Sequence, residues 1–338
     1  MNLELMTQTA NDMVAHGKGI LAADESTGTI AKRLDSVKLE STQANRQAYR
    51  QMLFTTPGLG EHVSGVILYD ETLRQSTTDG VSFVEQLNGA GIIPGIKVDT
   101  GAKELAGHPG EKVTEGLDGL RERLAEYFDL GARFAKWRAV ITIGDSMPTS
   151  ACVNANCHAL ARYAALCQEA SIVPIVEPEV LMNGSHDIET SYEVTEAVQR
   201  SLFEAMYDQN VIFEASILKP SMVISGDQCP TQASPQEVAD ATVQCLYNAV
   251  PPSVPGIVFL SGGQTEVQAT EHLNLMNQMG PHPWALSFSY GRALQHGALN
   301  SWGADPANNV EQGQSILSHR AKCNGLAAIG KYEDSMDQ

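Results

Sequence analysis

The chain has 338 residues, 43% of them hydrophobic, enough for one large core or two ordinary domains, and its 40 acidic against 22 basic side chains give a net charge of −18. Nucleic acid and anionic membranes are held by clustered Lys and Arg, so this balance argues against both as partners and requires any anionic substrate to find a local basic pocket. Residues 1–6 lack the basic and apolar regions of a signal peptide, and no apolar run approaches the length of about 18 residues that a membrane span needs, so a cytoplasmic protein is expected.

In chain order, eight short apolar or β-branched runs read as strands: 19–24, 65–70, 92–98, 134–143, 172–178, 217–224, 256–261 and 284–290. Between them, 116–130, 157–170, 188–210, 235–249 and 265–279 have helix-compatible length and spacing, and Ser234-Pro235 offers an N-cap followed by proline at the first helical position. Strands alternating with helices imply a parallel sheet with crossover helices, and eight such units fit a single closed (β/α)8 TIM barrel better than an open doubly wound sheet. No GxGxxG follows the first strand, which weakens a dinucleotide-binding reading. The barrel is expected over residues 1–330, with an N-terminal helical extension and the region after about Gln295 as peripheral additions, and residues 331–338 form a polar tail expected to be mobile.

Six cysteines without a CxxC pair read as free thiols in a reducing compartment. Cys152, Cys157 and His158 are potential metal ligands, but no second ligand pair accompanies them, so no metal is expected. Asn183-Gly184-Ser185 matches a glycosylation sequon and reads more simply as a turn.

Strands of a barrel should be nearly continuous apolar runs, so ionisable residues near their C-terminal ends are candidates for chemistry. Asp24 ends the first run, Lys97 the third, Lys136 and Arg138 lie in the fourth, Glu177 and Glu179 in the fifth, and Lys219 in the sixth. Residues two apart share a strand face, which pairs Lys136 with Arg138 and Glu177 with Glu179. A buried ion-pair lattice is the structural alternative, although desolvating each charge costs several kcal/mol before pairing returns any of it. Lys219, inside Ile217-Leu218-Lys219-Pro220, is either a strand-end lysine whose charge reaches solvent or a nucleophile that attacks a carbonyl as its neutral amine.

After the seventh and eighth runs come Ser261-Gly262-Gly263 and Ser289-Tyr290-Gly291-Arg292. Glycines let backbone N–H groups approach an anion, and barrels often hold phosphate at these two loops, although a Gly-Gly pair alone is also an ordinary tight turn. Ser26 and Thr29, with Lys32 and Arg33 a turn further on, read either as a second phosphate site or as a capped helix start with solvated basic residues.

At this point the residues resemble a known family. GILAADESTGTIAKRL from Gly19, GIKVDTG from Gly95, FAKWR from Phe134, IVPIVEPE from Ile172, LKPSM from Leu218, FLSGGQ from Phe259 and SFSYGRALQ from Ser287 are similar, in order, to class I fructose-bisphosphate aldolases, the metal-independent Schiff-base type. The resemblance implies aldol cleavage of fructose 1,6-bisphosphate, in glycolysis and gluconeogenesis, with no cofactor. It implies Lys219 as the Schiff-base lysine, Glu177 as the principal acid/base, Asp24 as the carboxylate acting at the C4 hydroxyl, and Lys136 and Arg138 as supporting groups. Ser261, Gly262, Gly291 and Arg292 fall at the ketone-side phosphate; Ser26, Thr29, Lys32, Arg33 and Lys97 fall at the other, and Glu179 among the substrate contacts. Thr29 stands where many members have serine. Sugar phosphates are the implied partners and a homotetramer the implied assembly.

Animal members end in a tyrosine that assists a proton transfer, whereas this chain ends Met336-Asp337-Gln338 with Tyr332 the nearest tyrosine, so the role of the tail is open. The competing readings are another barrel Schiff-base enzyme, transaldolase-like or deoxyribose-phosphate-aldolase-like, and a binding protein that kept the fold without activity. Two phosphate-binding segments favour a bisphosphate over the first, and the joint presence of Lys219, Glu177, Asp24, Lys136 and Arg292 argues against the second.

Overall fold

The computed structural model describes residues 1–337. Eight parallel strands close into a barrel: β1 (Gly19–Ala23), β2 (Val63–Leu68), β3 (Ile93–Lys97), β6 (Phe134–Ile141), β7 (Val173–Val180), β8 (Ile217–Leu218), β9 (Gly256–Phe259) and β10 (Ala285–Tyr290), hydrogen-bonded in that order with β10 returning to β1. The two remaining strands, β4 (Gly101–Glu104) and β5 (Lys112–Glu115), form a small antiparallel hairpin that the sequence pattern does not signal, because both are short and mostly polar. Outside the barrel lie, in chain order, α1 (Leu3–Met13), α2 (Thr27–Ser36), α3 (Gln43–Phe54), α4 (Asp70–Leu73), α5 (Phe83–Gly89), α6 (Leu120–Asp129), α7 (Ser150–Glu169), α8 (Ile188–Asp208), α9 (Pro235–Ala249), α10 (Glu266–Gln278), α11 (Arg292–Ala304) and α12 (Val310–Ala327).

Alternation along the strands separates two cores. Ile20, Ile67, Phe134, Ile175, Ile217 and Val258 point inward and pack together, while Leu21, Trp137, Val176, Leu218, Ile257 and Phe288 face the helices. The inward set is closed from below by α1, whose Met6, Ala10 and Met13 are fully buried against it. This helix lies at the N-terminal ends of the strands: the Ser64 hydroxyl at the start of β2 donates to the Met13 carbonyl, and Asn2 N–H donates to Ser171 just before β7. The N-terminal extension is therefore a plug that keeps water from the bottom of the barrel.

Three expectations shift. The sixth run was expected to span 217–224, but its ladder stops after Leu218. Lys219 N–H still donates to Val176 and the Pro220 carbonyl still accepts from Leu260, yet Pro220 has no N–H to continue pairing. The chain after Gln295 is integral: α11 is the helix that follows the last strand, and Trp302 on it is 1% exposed. Of the tail expected to be mobile, residues 331–337 are docked, with Tyr332 4% exposed and Asp337 accepting two hydrogen bonds from Arg320 on α12, at 2.6 and 2.7 Å, and residue 338 lies outside the described residues. Its polar composition hides one aromatic anchor and one carboxylate matched to a buried guanidinium. Among the described residues no helix is long and apolar enough to cross a membrane.

Candidate active site

The C-terminal ends of the strands surround a cavity of about 590 Å³. Asp24, Ser26, Thr29, Arg33, Lys97, Lys136, Arg138, Glu177, Glu179, Lys219, Ser261, Gly262, Gly291 and Arg292 all line it, gathered from the ends of seven different strands. Lys32 alone of the expected set does not. On α2, Thr29 and Arg33 are four residues apart and share a face, whereas Lys32 is rotated about 100° from Arg33 and is exposed.

Local sequence explains how charge reaches the centre. In FAKWR of β6, Ala135 and Trp137 pack outward, Trp137 against Tyr163 of α7, which turns Lys136 into the barrel. Register then sets Arg138 beside Glu177 on β7. Lys136 Nζ lies 2.7 Å from Asp24 Oδ2, 3.3 Å from Glu177 Oε2 and 4.0 Å from Asp99 Oδ2. Lys219 Nζ lies 3.2 Å from Glu177 Oε1. Lys136, Glu177 and Lys219 are each no more than 4% exposed. Glu177 is thus bracketed by two ammonium groups, one on each carboxylate oxygen.

Burial by itself would push the Asp24 carboxyl up, but Lys136 and Lys219 outweigh it and hold the group well below the usual carboxylate range. Glu177 follows the same pattern: burial raises it, and Lys136, Lys219 and Arg138 bring it down on balance. Burial pulls Lys136 down, yet Asp24, Glu177 and Asp99 more than compensate, so it is a firmly held cation. Such a cluster tolerates its own desolvation only while each charge keeps its partners.

The rim is positive at two separated places. On one side Arg292 follows Gly291 at the start of α11, across from the Ser261-Gly262-Gly263 turn, in which Gly262 and Gly263 adopt φ +41° and +80°. On the other, Ser26 and Thr29 hydroxyls lie 3.1 Å apart with Lys97 on the cavity wall, while Arg33, from the same helix as Thr29, extends to the Gly291 side, where a Cβ on Gly291 would lie 3.4 Å from its Nη2. Lys97 is 3.4 Å from Asp99, and Arg138 is paired with Glu179 at the mouth.

Several lining residues were not put forward as site residues from sequence, Glu25, Asp99, Met182 and Ser289 among them. Glu25 is buried beneath the first turn, where Arg50 and Arg33 bind its two oxygens at 2.6 and 2.5 Å and Gln295 donates to one of them at 3.2 Å. Asp99 sits two residues after Lys97 in GIKVDTG, a period-2 spacing that could have flagged it. Met182 packs over Gly263, where a Cβ would lie 2.1 Å from its sulfur. Ser289, which the sequence brings in only as the first residue of the Ser289-Tyr290-Gly291-Arg292 segment, is 1% exposed with a hydroxyl that has no hydrogen-bond partner.

Elsewhere, Asn183 and Gly184 form a turn tied to Asp227. Cys152 and Cys157 are buried on α7 and do not join His158 in a ligand cluster; among the described residues the one such group is His319, Cys323 and Asp337, whose carboxylate already serves Arg320 and Tyr332.

Residues 4–338 match the family model described as fructose-bisphosphate aldolase class-I. A protein from Xanthomonas axonopodis pv. citri named probable fructose-bisphosphate aldolase class 1 is 62% identical over 333 residues, covering 98% of this chain and 100% of that protein. Fructose-bisphosphate aldolase 1 of Toxoplasma gondii is 53% identical over 97% of this chain and 90% of its own length. Among solved structures, a co-crystal structure of fructose-bisphosphate aldolase from Plasmodium falciparum in complex with TRAP and a small molecule inhibitor superposes with a TM-score of 0.96 at 49% identity, covering 98% of this chain and 95% of that one. With a closed barrel carrying a buried lysine–carboxylate cluster between two basic rims, and relatives that match from end to end, the chain belongs to the class I fructose-bisphosphate aldolases, a family of metal-independent carbon–carbon lyases.

Proposed function

We propose that this chain cleaves fructose 1,6-bisphosphate reversibly to dihydroxyacetone phosphate and glyceraldehyde 3-phosphate through a Schiff base on Lys219. The observation that carries the reading is the buried Lys219 Nζ, 3.2 Å from a carboxylate, in a cavity with cationic groups at both ends. A bisphosphate fits such a cavity because each phosphate meets its own basic rim while the uncharged carbon chain spans the centre.

Lys219 attacks the C2 ketone as its neutral amine, and the carbinolamine loses water as Glu177 delivers a proton to the departing hydroxyl. Once Lys219 no longer carries an ammonium charge, Glu177 has lost one of the three cations that hold its carboxyl down, so its proton affinity rises when it must act as an acid. The iminium then draws electrons from the C3–C4 bond as Asp24 or Glu177 takes the proton of the C4 hydroxyl. Glyceraldehyde 3-phosphate leaves, and the remaining enamine is protonated at C3 and hydrolysed to release dihydroxyacetone phosphate. Lys136, firmly cationic, keeps both carboxylates ionised between proton transfers.

Tyr332 donates to Asp337 at 2.5 Å in the docked tail and is not among the cavity's lining residues. That supports assigning enamine protonation to a cavity group or to water. Family resemblance supports a cytoplasmic homotetramer, which light scattering on the purified protein reads directly.

The test is borohydride reduction with dihydroxyacetone phosphate and a metal chelator, followed by peptide mass spectrometry. An adduct on Lys219, absent from a folded Lys219→Ala variant that has also lost turnover, is expected. No adduct in a folded sample, an adduct on another lysine, or turnover retained in the variant would overturn the assignment.

A further inference from the structure

The Ser261-Gly262-Gly263 turn contains two consecutive glycines in left-handed conformations, the backbone with most freedom to lose. What holds it lies below the cavity. Gln264 is 7% exposed; its backbone N–H donates to the Ser261 carbonyl at 2.8 Å and its side-chain Nε2 donates to the same oxygen at 3.0 Å. Because that amide nitrogen faces Ser261, its oxygen must face the other way, and there it meets His272 Nδ1 at 2.5 Å. His272 is 6% exposed, on the inner face of α10 beside Ala269, Leu273 and Met276. Only a ring with hydrogen on Nδ1 satisfies the Gln264 oxygen. Burial pushes the imidazole down to about 4, so near neutral pH the ring is the uncharged Nδ1–H tautomer.

The helix does not need this contact for its own sake. Its first turn is already closed by the reciprocal Thr265–Gln268 capping box, and Ala269, Leu273 and Met276 are buried on the same helix, so a leucine at 272 would supply packing without the polar contact. The polar pair instead points at the turn. With Met182 packed on the outer side of Gly263 and Gln264 fastened to Ser261, the turn is held from both sides.

We infer that His272 is a positioning residue: through Gln264 it fixes the Ser261 carbonyl, and with it the direction in which the turn presents its N–H groups to the ketone-side phosphate. This rests on the proposed function, in which that turn takes the phosphate. A buried amide oxygen left without a donor is penalised enough for Gln264 to rotate away, and the turn then spends part of its time in orientations that do not bind.

The test compares His272→Leu with His272→Asn, whose amide nitrogen sits near the place of Nδ1 and restores a donor. For His272→Leu, KM for fructose 1,6-bisphosphate should rise about five- to thirtyfold with kcat little changed, the size of losing one buried hydrogen bond. Borohydride trapping on Lys219 at saturating substrate should be undiminished, and His272→Asn should recover most of the KM. A native KM in His272→Leu, or an equal rise in both variants, or a parallel fall in kcat, would overturn the inference. Should His272→Leu fail to fold, Gln264→Met must give the same KM rise, and an unchanged KM there overturns it equally. Turnover without any Lys219 adduct in the unsubstituted protein would instead overturn the Schiff base and leave the KM comparison standing.

Discussion

Replacing Lys136 with methionine tests the electrostatic logic of the site most directly. The side chain keeps its length, so the cavity is not emptied, but the charge that serves Asp24, Glu177 and Asp99 at 2.7, 3.3 and 4.0 Å disappears. Removing one member of a buried ion cluster costs about 3–5 kcal/mol, because the partners stay desolvated without compensation. At about 2 cal/mol/K of unfolding entropy per residue, a chain this long should then melt roughly 4–7 °C lower near neutral pH. The loss should depend on pH in a defined sense. In the unsubstituted protein Asp24 is held below its ordinary value of 3.8, so it contributes stability above that pH and loses it as pH falls through the lowered folded value. In Lys136→Met, Lys219 is the one cation left that acts on both Asp24 and Glu177, with the more distant Lys97 and Arg138 each helping one of them, so burial is no longer offset and the less well compensated carboxyl rises above its unfolded value. That group favours folding where it is protonated and opposes it as pH rises, so the gap between the two proteins should narrow as pH is lowered from 7 toward 5. Differential scanning calorimetry across that range reads both quantities. Equal melting temperatures, or a gap independent of pH, would mean that Lys136 does not neutralise the cluster.

Two further substitutions probe what surrounds the site. Gly95→Ala places a Cβ 2.2 Å from the Phe134 ring at the barrel axis; overpacking of this kind costs about 1–3 kcal/mol or more, read as a lower urea midpoint, and Phe134→Leu in the same chain should recover part of it. A Gly95→Ala protein with a native midpoint would show that the barrel interior is looser than the packing implies. Asp337→Asn removes the carboxylate that Arg320 and Tyr332 share, so cleavage after Lys331 by trypsin should accelerate while kcat/KM stays native, since none of the described tail residues lines the cavity. Asp337 is held below its ordinary 3.8 chiefly by Arg320 and Tyr332 against the upward push of burial, so the docking it supplies is present above that pH and lost as pH falls below it. Unchanged proteolysis would place the tail's anchorage on Tyr332 burial alone.

The strand pattern was legible because the physics behind it is local. An inward residue must alternate with a helix-facing one, and both are apolar, so each run reads as a continuous stripe. The charged interruptions stood out against that stripe for the same reason, which is how Lys136, Glu177 and Lys219 could be picked out before any contact was known. Where an element's hydrogen bonding departs from its composition, the reading failed: Pro220 ends β8 early, and the β4–β5 hairpin has no apolar alternation to announce it. Lys32 and Arg33 are adjacent and chemically alike, and only the phase of α2 decides that one lines the cavity and the other faces solvent.

The sequence by itself determined the barrel, the inward direction of its ionisable residues and the kind of chemistry they suit, since period-2 alternation and turn residues are properties of neighbouring positions along the chain. Tertiary structure alone decided which charges neutralise which. Asp24, Asp99, Lys136, Glu177 and Lys219 come from five strand ends spread over nearly 200 residues, and their ionisation depends on separations of a few ångströms in a desolvated space. The same holds for the N-terminal plug, the docked tail and the link from His272 through Gln264 to Ser261. Each joins groups whose partners lie elsewhere in the chain or whose neighbours would suit an apolar residue equally well, so no local pattern carries them.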